Sequence, residues 1–190
     1  HLYDVVTNQM VQTFRFHSLV SIGSTSWAPD GKRLAFSSID MSGNNDLYIL
    51  NTETRELQKL TNDYYDDRDP AWSPRGEKIA FSSDRTPFGK TGTYNLYAYD
   101  VATGGIEYLT YGNFNTNSPA WSKDGSKLAF TSDLDGAQNI WVTDVDTLAF
   151  GVTSMRKVTY FTTAAFDPTW TTSGDLVFAA FETFRLGIFG

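Results

Sequence analysis

The feature that most restricts what this chain can become is a phrase of eight residues that occurs four times. It reads Ser24-Thr25-Ser26-Trp27-Ala28-Pro29-Asp30-Gly31, then Asp69-Pro70-Ala71-Trp72-Ser73-Pro74-Arg75-Gly76, then Ser118-Pro119-Ala120-Trp121-Ser122-Lys123-Asp124-Gly125, and last Asp167-Pro168-Thr169-Trp170-Thr171-Thr172-Ser173-Gly174. Its tryptophans stand 45, 49 and 49 positions apart. A period of roughly 40 to 50 residues with one Trp and one glycine turn is that of a propeller blade, a four-stranded sheet that cannot bury its own faces and stacks on copies of itself.

The remainder of each unit follows the same plan. After the glycine comes an apolar strand at Lys32 to Ser38, Lys78 to Ser83, Lys127 to Ser132 and a shortened Asp175 to Ala180. A polar loop leads to an alternating third strand at Asp46 to Leu50, Asn95 to Tyr99 and Asn139 to Val142, and a fourth follows at Leu57 to Leu60 and Ile106 to Leu109. The expected fold is therefore all-β, a single propeller segment of four-stranded antiparallel blades. It divides into a partial blade over 1–23, blades near 24–68, 69–117 and 118–166, and a partial blade over 167–190. Three complete repeats and two partial ones make about four blades of a larger propeller, and both chain ends are expected to fall inside a blade, so that the remaining blades lie outside this sequence.

Composition agrees with strands and turns: 14 Phe, 10 Tyr and 5 Trp occur without long helix-forming stretches. The balance of 15 Lys and Arg against 22 Asp and Glu, with no basic cluster interleaved with aromatics, argues against nucleic acid as a partner. With no cysteine the chain has neither a disulfide framework nor thiolate metal sites. The longest apolar runs, such as Leu176 to Phe181, are strand-sized, so no helical membrane span is expected.

The repeat resembles that of the TolB-like β-propeller family, the PD40 or WD40-like repeat, in which Pro-x-Trp-Ser-Pro-Asp-Gly opens a blade and Phe-x-Ser-Asp ends its second strand. Phe36-Ser37-Ser38-Ile39-Asp40, Phe81-Ser82-Ser83-Asp84-Arg85 and Phe130-Thr131-Ser132-Asp133 carry the second phrase, and Gln58-Lys59-Leu60-Thr61 and Tyr108-Leu109-Thr110 the usual blade end. Arg75 and Lys123 depart from the first phrase, each in a surface turn. The resemblance implies a non-catalytic, protein-binding propeller, an extracytoplasmic (periplasmic) subunit of a bacterial envelope or membrane-associated complex. Its partners would be other protein subunits, such as a peptidoglycan-associated lipoprotein, and its channel mouth would receive an extended segment of one of them.

Strand alternation sorts the loops by face. One face is expected to receive Asp40, Asp63, Asp66, Asp67, Asp69, Asp84, Asp133, Asp135 and Asp167 against Arg68, Arg85 and Lys90, and the other Lys32, Arg33, Arg75, Lys78, Lys123 and Lys127. An acidic rim would attract cationic partners. The competing reading is that aspartates favour turns because they accept nearby backbone amides. The Asp63 to Asp69 loop combines four carboxylates with two tyrosines and an arginine, and the long Asp84 to Tyr94 loop places Phe88 between Pro and Gly. The expected partner-binding residues are Tyr65, Asp66, Asp67, Arg68, Asp69, Arg85, Phe88 and Asp167, with Asp69 and Asp167 three residues before the repeated Trp.

Neither a cofactor nor a metal is expected. Asp133-Leu134-Asp135-Gly136 and the Asp63 to Asp69 carboxylates offer oxygens, yet neither has the longer acidic pattern of a dedicated calcium loop. The repeated Trp and the phenylalanines at 36, 81, 130 and 178 read as core packing, and Gly31, Gly76, Gly125 and Gly174 as positive-φ hairpin positions. No Gly-x-Ser-x-Gly elbow is present, and the two histidines, His1 and His17, have no motif tying them to Ser and Asp. The alternative functions are the non-catalytic gate of a prolyl-oligopeptidase-like serine peptidase, and a purely structural subunit bracing a membrane protein complex.

Overall fold

A computed structural model describes residues 1–86, 92–145, 152–182 and 185–190. Its strands form five antiparallel sheets. A hairpin of β1 (Leu2–Asp4) and β2 (Gln9–Gln12) precedes a four-stranded sheet of β3 (Leu19–Trp27), β4 (Arg33–Asp40), β5 (Asn45–Asn51) and β6 (Leu57–Lys59). The next comprises β7 (Asp67–Trp72), β8 (Lys78–Ser83), β9 (Asn95–Asp100) and β10 (Ile106–Tyr108). A third contains β11 (Thr116–Trp121), β12 (Lys127–Ser132), β13 (Asn139–Val145) and β14 (Val152–Lys157), and a three-stranded sheet of β15 (Ala164–Trp170), β16 (Leu176–Glu182) and β17 (Arg185–Phe189) ends the chain. Within every sheet each strand pairs with the next in sequence, the meander of a propeller blade. The second, third and fourth strands read from the sequence all appear, and no helix of the described residues is long and apolar enough to cross a membrane.

The core lies between sheets rather than within them, which explains why the second strands carry no polar alternation. All six residues of β8 are buried, because both faces of its sheet are covered. Ala35, Leu47 and Ile49 of the first full sheet pack on Trp72, Ile79 and Phe81 of the second. In turn Ala80, Leu96 and Ala98 pack on Leu128 and Phe130 of the third, and Ile140 meets Ala165 and Ala180 of the fourth. Each fully buried Phe, such as Phe81 and Phe130, contributes about 1.5–3 kcal/mol relative to exposure.

The first strand of each sheet, β3, β7, β11 and β15, lies beside its counterpart in the next and forms the inner wall. There the repeated tryptophans lock neighbours together: Trp121 Nε1 donates to Ala71 O at 3.1 Å and Trp170 Nε1 to Ala120 O at 3.0 Å. Trp72 is buried, whereas Trp27 in β3 is 45% exposed. At the outer end of each first strand the glycine turn closes as expected, with φ of 69°, 73°, 75° and 94° at Gly31, Gly76, Gly125 and Gly174.

The three inner strands that contain proline are bulged between the residue two before it and the residue before the Trp, at Arg68/Ala71, Asn117/Ala120 and Phe166/Thr169, and β3 shifts register at Leu19/Ser21 and Ile22/Thr25. Proline at 70, 119 and 168 has no N–H for the ladder, and the preceding residue turns left-handed: φ is 51° at Asp69, 50° at Ser118 and 53° at Asp167. Ser24, followed by Thr25 instead of Pro, does not. The bulge turns the side chains of these residues along the inner wall.

Candidate functional site

The loop that enters β7 is built around Arg85. Its guanidinium lies beneath three aromatic rings, 5.2 Å from Tyr65, 5.4 Å from Phe81 and 5.7 Å from Tyr97, and pairs with Asp67 at 2.5 Å and Asp63 at 3.3 Å. Asp67 is fully buried, and its desolvation raises its pKa despite the attraction of Arg85. Above this pair Tyr65 packs against the exposed Tyr64 with ring centroids 4.3 Å apart and the rings tilted by 32°, and its hydroxyl donates to Thr86 O at 3.3 Å. The hydrogen-bonded contact between the Tyr64 and Tyr65 hydroxyls, together with desolvation, pushes the Tyr65 phenol up to about 12.

A second knot adjoins it. Burial would raise Asp66, but hydrogen bonds from Arg68, Tyr94 and Asn45 hold its carboxyl below the usual range. Arg68 also lies 4.8 Å over the Tyr94 ring. The carboxylate of Asp84 accepts the Asp66 backbone N–H at 2.9 Å, and in the next sheet Asp133 accepts the Asn115 N–H at 2.7 Å. These two aspartates thus hold the incoming loop of their own blade, the backbone-capping role open to turn aspartates.

Asp69 and Asp167 stand apart from that cluster, on the inner wall. Asp69 accepts the Ser24 hydroxyl at 2.7 Å and the Ser118 N–H at 3.4 Å, and Asp167 accepts the Ser118 hydroxyl at 2.7 Å. Ser24, Asp69, Ser118 and Asp167 occupy the same position in the four repeats, so hydroxyl and carboxylate alternate along a hydrogen-bonded chain that crosses three blade boundaries. Tyr65, Asp66, Asp67, Arg68 and Arg85 are therefore brought together, and Asp69 and Asp167 are joined to each other through Ser118. Phe88 lies outside the described residues.

The sequence reading missed Tyr94, Ser24, Ser118 and the cations that answer the aspartates from neighbouring strands. Lys59 pairs with Asp40 at 3.0 Å and Asp46 at 2.8 Å, and Lys157 pairs with Asp135. The carboxylates of Asp46, Asp63 and Asp67 lie within 4.8 Å of one another, with Lys59 and Arg85 supplying positive charge at that spot. The opposite face is not the basic surface that counting lysines and arginines suggested. Lys32 pairs with Glu53, Arg33 with Asp30, Arg75 with Glu77, Lys78 with Asp100 and Lys127 with Asp144, because the hairpins there also carry acids. Aligning the four phrases would have revealed the alternating Ser and Asp; the lysine partners come from strands distant in sequence.

Residues 1–90 match the family described as the TolB beta propeller domain. The Tol-Pal system protein TolB of Alcanivorax borkumensis is 34% identical over 64 residues, 34% of this chain and 15% of that protein. An uncharacterized peptidase of Bacillus subtilis, YuxL, is 47% identical over 53 residues, 28% of this chain and 8% of that protein. The crystal structure of TolB from Acinetobacter baumannii superposes with a TM-score of 0.78 at 26% identity over 98% of this chain and 44% of that one. The chain thus spans under half the length of each of these three relatives. The repeat phrases, the meander sheets stacked about an inner wall and these likenesses agree: the chain is an arc of β-propeller blades, similar to those of the TolB beta propeller domain.

Proposed function

We propose that this arc is a non-catalytic protein-binding module, an extracytoplasmic subunit of a bacterial envelope or membrane-associated complex, and that the loop entering β7 is the edge it presents to a protein partner. The observation that carries this reading is the ordered surface of that loop. Tyr64 is 61% exposed and packs against Tyr65, which Arg85 supports from below, while Arg68 and Tyr94 stack beside them. Rigid tyrosine and arginine side chains are the residue types that anchor protein interfaces. The carboxylates around them are engaged by backbone amides and neighbouring cations, an arrangement suited to holding loop shape. Asp69 and Asp167 on the inner wall would border a partner segment entering the channel. The likeness to TolB, a protein of the Tol-Pal system, supports an envelope location and a partner of that kind, such as a peptidoglycan-associated lipoprotein.

The test is calorimetric titration of the full-length protein with the purified peptidoglycan-associated lipoprotein of the same organism. Tyr64→Ala and Arg68→Ala should each weaken binding about tenfold or more, the scale of an interface anchor. Unchanged affinity in both would remove this loop from the interface.

The likeness to YuxL favours a second reading, the non-catalytic gate of a serine peptidase. The full gene distinguishes them: an adjoining α/β-hydrolase sequence with a Gly-x-Ser-x-Gly elbow supports the gate, and further Trp-Ser-Pro-Asp-Gly repeats followed by a stop support the binding module.

A further inference from the structure

One junction recurs three times in the chain, and its first copy differs from the other two in charge. Where a third strand begins, a side chain reaches across to the loop that leads into the next blade. Asn139 accepts the Phe161 N–H at 2.8 Å and donates to Phe161 O at 3.0 Å, and Asn95 donates to Gly112 O at 3.1 Å. At the matching place Asp46 accepts the Asp63 N–H at 3.4 Å and, as a carboxylate, has no proton to return. In the inner strand that follows, the place of Thr116 and Ala165 is taken by Asp67. Positions 46, 63 and 67 thus all carry acids, whereas the sister junctions carry Asn95, Gly112 and Thr116, and Asn139, Phe161 and Ala165. The fold builds this junction twice without a carboxylate, so its architecture does not call for these acids.

The three carboxylates lie within 4.8 Å of one another, and Asp46 and Asp67 are fully buried. Their charge is not balanced. Lys59 of β6, 5.7 Å over the Tyr48 ring, is shared between Asp46 and Asp40, and Arg85, just past β8, is shared between Asp67 and Asp63. Tyr65 and Tyr97 of β9 lie against Arg85 and bring no positive charge, and Asp84 is turned to the Asp66 N–H. The buried Asp67 Oδ1 has no hydrogen-bond partner among the described residues. The Thr61 hydroxyl donates instead to Asp46 at 3.3 Å, and the Ser83 hydroxyl accepts the Arg85 Nε–H at 3.0 Å. A buried carboxylate oxygen without a donor, crowded by two further carboxylates, is a place for a proton, and the desolvation that raises the Asp67 pKa acts in the same direction.

We propose that Asp46, Asp63 and Asp67 form a proton-binding site that couples the loop entering β7 to pH. On acidification Asp67 takes one proton from water, and its new O–H donates to the Asp63 carboxylate, so that a hydrogen bond replaces a repulsion between β7 and the loop. Asp63 keeps its pairing with Arg85, and Tyr64 and Tyr65, the next two residues, move with it. The protonated carboxyl supplies here the hydroxyl that Thr116 supplies at the next junction, where it lies 2.9 Å from Thr110 Oγ1. The proton binds the folded cluster more tightly than the unfolded chain, so stability from this site falls as pH rises from 3.8 through the Asp67 titration. The coupling belongs to the loop itself and stands whether or not that loop meets a partner.

The experiment follows the aspartate carboxyl carbons and the Tyr64 and Tyr65 ring signals of the isotopically labelled full-length protein by NMR from about pH 8 to about pH 3. The Asp67 carboxyl should titrate above the ordinary 3.8, and both tyrosines should shift with the same midpoint. Asp67→Asn keeps the shape, removes the titration and should abolish the tyrosine shift. Asp46→Asn should lower the midpoint by removing a competing charge, and it retains the fold because Asn95 and Asn139 stand at that position in the sister sheets. Millimolar magnesium or calcium should leave the midpoint unchanged. An Asp67 carboxyl that titrates at or below 3.8, a tyrosine shift that persists in Asp67→Asn, a midpoint unmoved by Asp46→Asn, or a midpoint driven down by either metal would each overturn the proposal, the last by showing that the cluster holds a metal ion instead.

Discussion

The hydroxyl of Ser118 donates to the carboxylate of Asp167 at 2.7 Å, across a blade boundary and 49 residues along the chain. With the Ser24 to Asp69 contact of the same length, it ties the inner wall together at the one position where the backbone turns left-handed before proline.

Asp69 should therefore contribute more to stability than an inner-wall aspartate would by its charge alone. Asp69→Ala removes the acceptor for Ser24 and Ser118 and leaves a non-glycine residue at φ 51°, and is expected to cost about 2 kcal/mol in urea denaturation. Asp69→Asn keeps an acceptor and a side chain that tolerates that conformation, so its loss should be clearly smaller.

Removing Arg85 should be more damaging than removing both members of its pair. Arg85→Ala strands a fully buried Asp67 and is expected to cost about 3–5 kcal/mol, whereas Arg85→Met with Asp67→Leu should recover most of that loss in the same denaturation measurement. Equal losses in the two variants would show that the charge pair has no such role.

Asp100 sets an acid limit. The hydrogen bond from Lys78, with those from Thr103, lowers its pKa to about 2 from 3.8. A depressed carboxyl stabilises the fold above its unfolded pKa, so this contribution is present above pH 3.8 and is lost as pH falls towards about 2. The melting temperature of Asp100→Asn, followed from neutral pH to pH near 2, should be lower than wild type at neutrality and converge with it at the acid end.

Two hairpin glycines of the same conformation should respond differently to a methyl group. Gly31→Ala meets only the left-handed backbone penalty of about 1–2 kcal/mol, because nothing lies within 4 Å. Gly76→Ala adds a clash with the Pro29 ring at 3.2 Å and should be the more destabilising by chemical denaturation.

The blade, the positive-φ hairpin glycines and the core Phe at 36, 81 and 130 were legible in the repeats, because these arise from contacts within one repeat or from a residue type that recurs in phase. It also contained the alternation of Ser24, Asp69, Ser118 and Asp167, which becomes meaningful only when the four phrases are aligned. The state of each charge, by contrast, emerges from the folded arrangement. Lys59 reaches Asp46, Arg85 reaches Asp67 and Lys78 reaches Asp100 because adjacent strands and neighbouring loops bring together groups far apart along the chain, and electrostatic energy depends on that separation and burial rather than on counts of acids and bases. The same holds for Lys123. As a sequence it is a departure in a surface turn; once the sheets stack, a methyl group on Gly174 would meet nothing within 4 Å, whereas Gly76 and Gly125 each face a proline ring of the preceding hairpin.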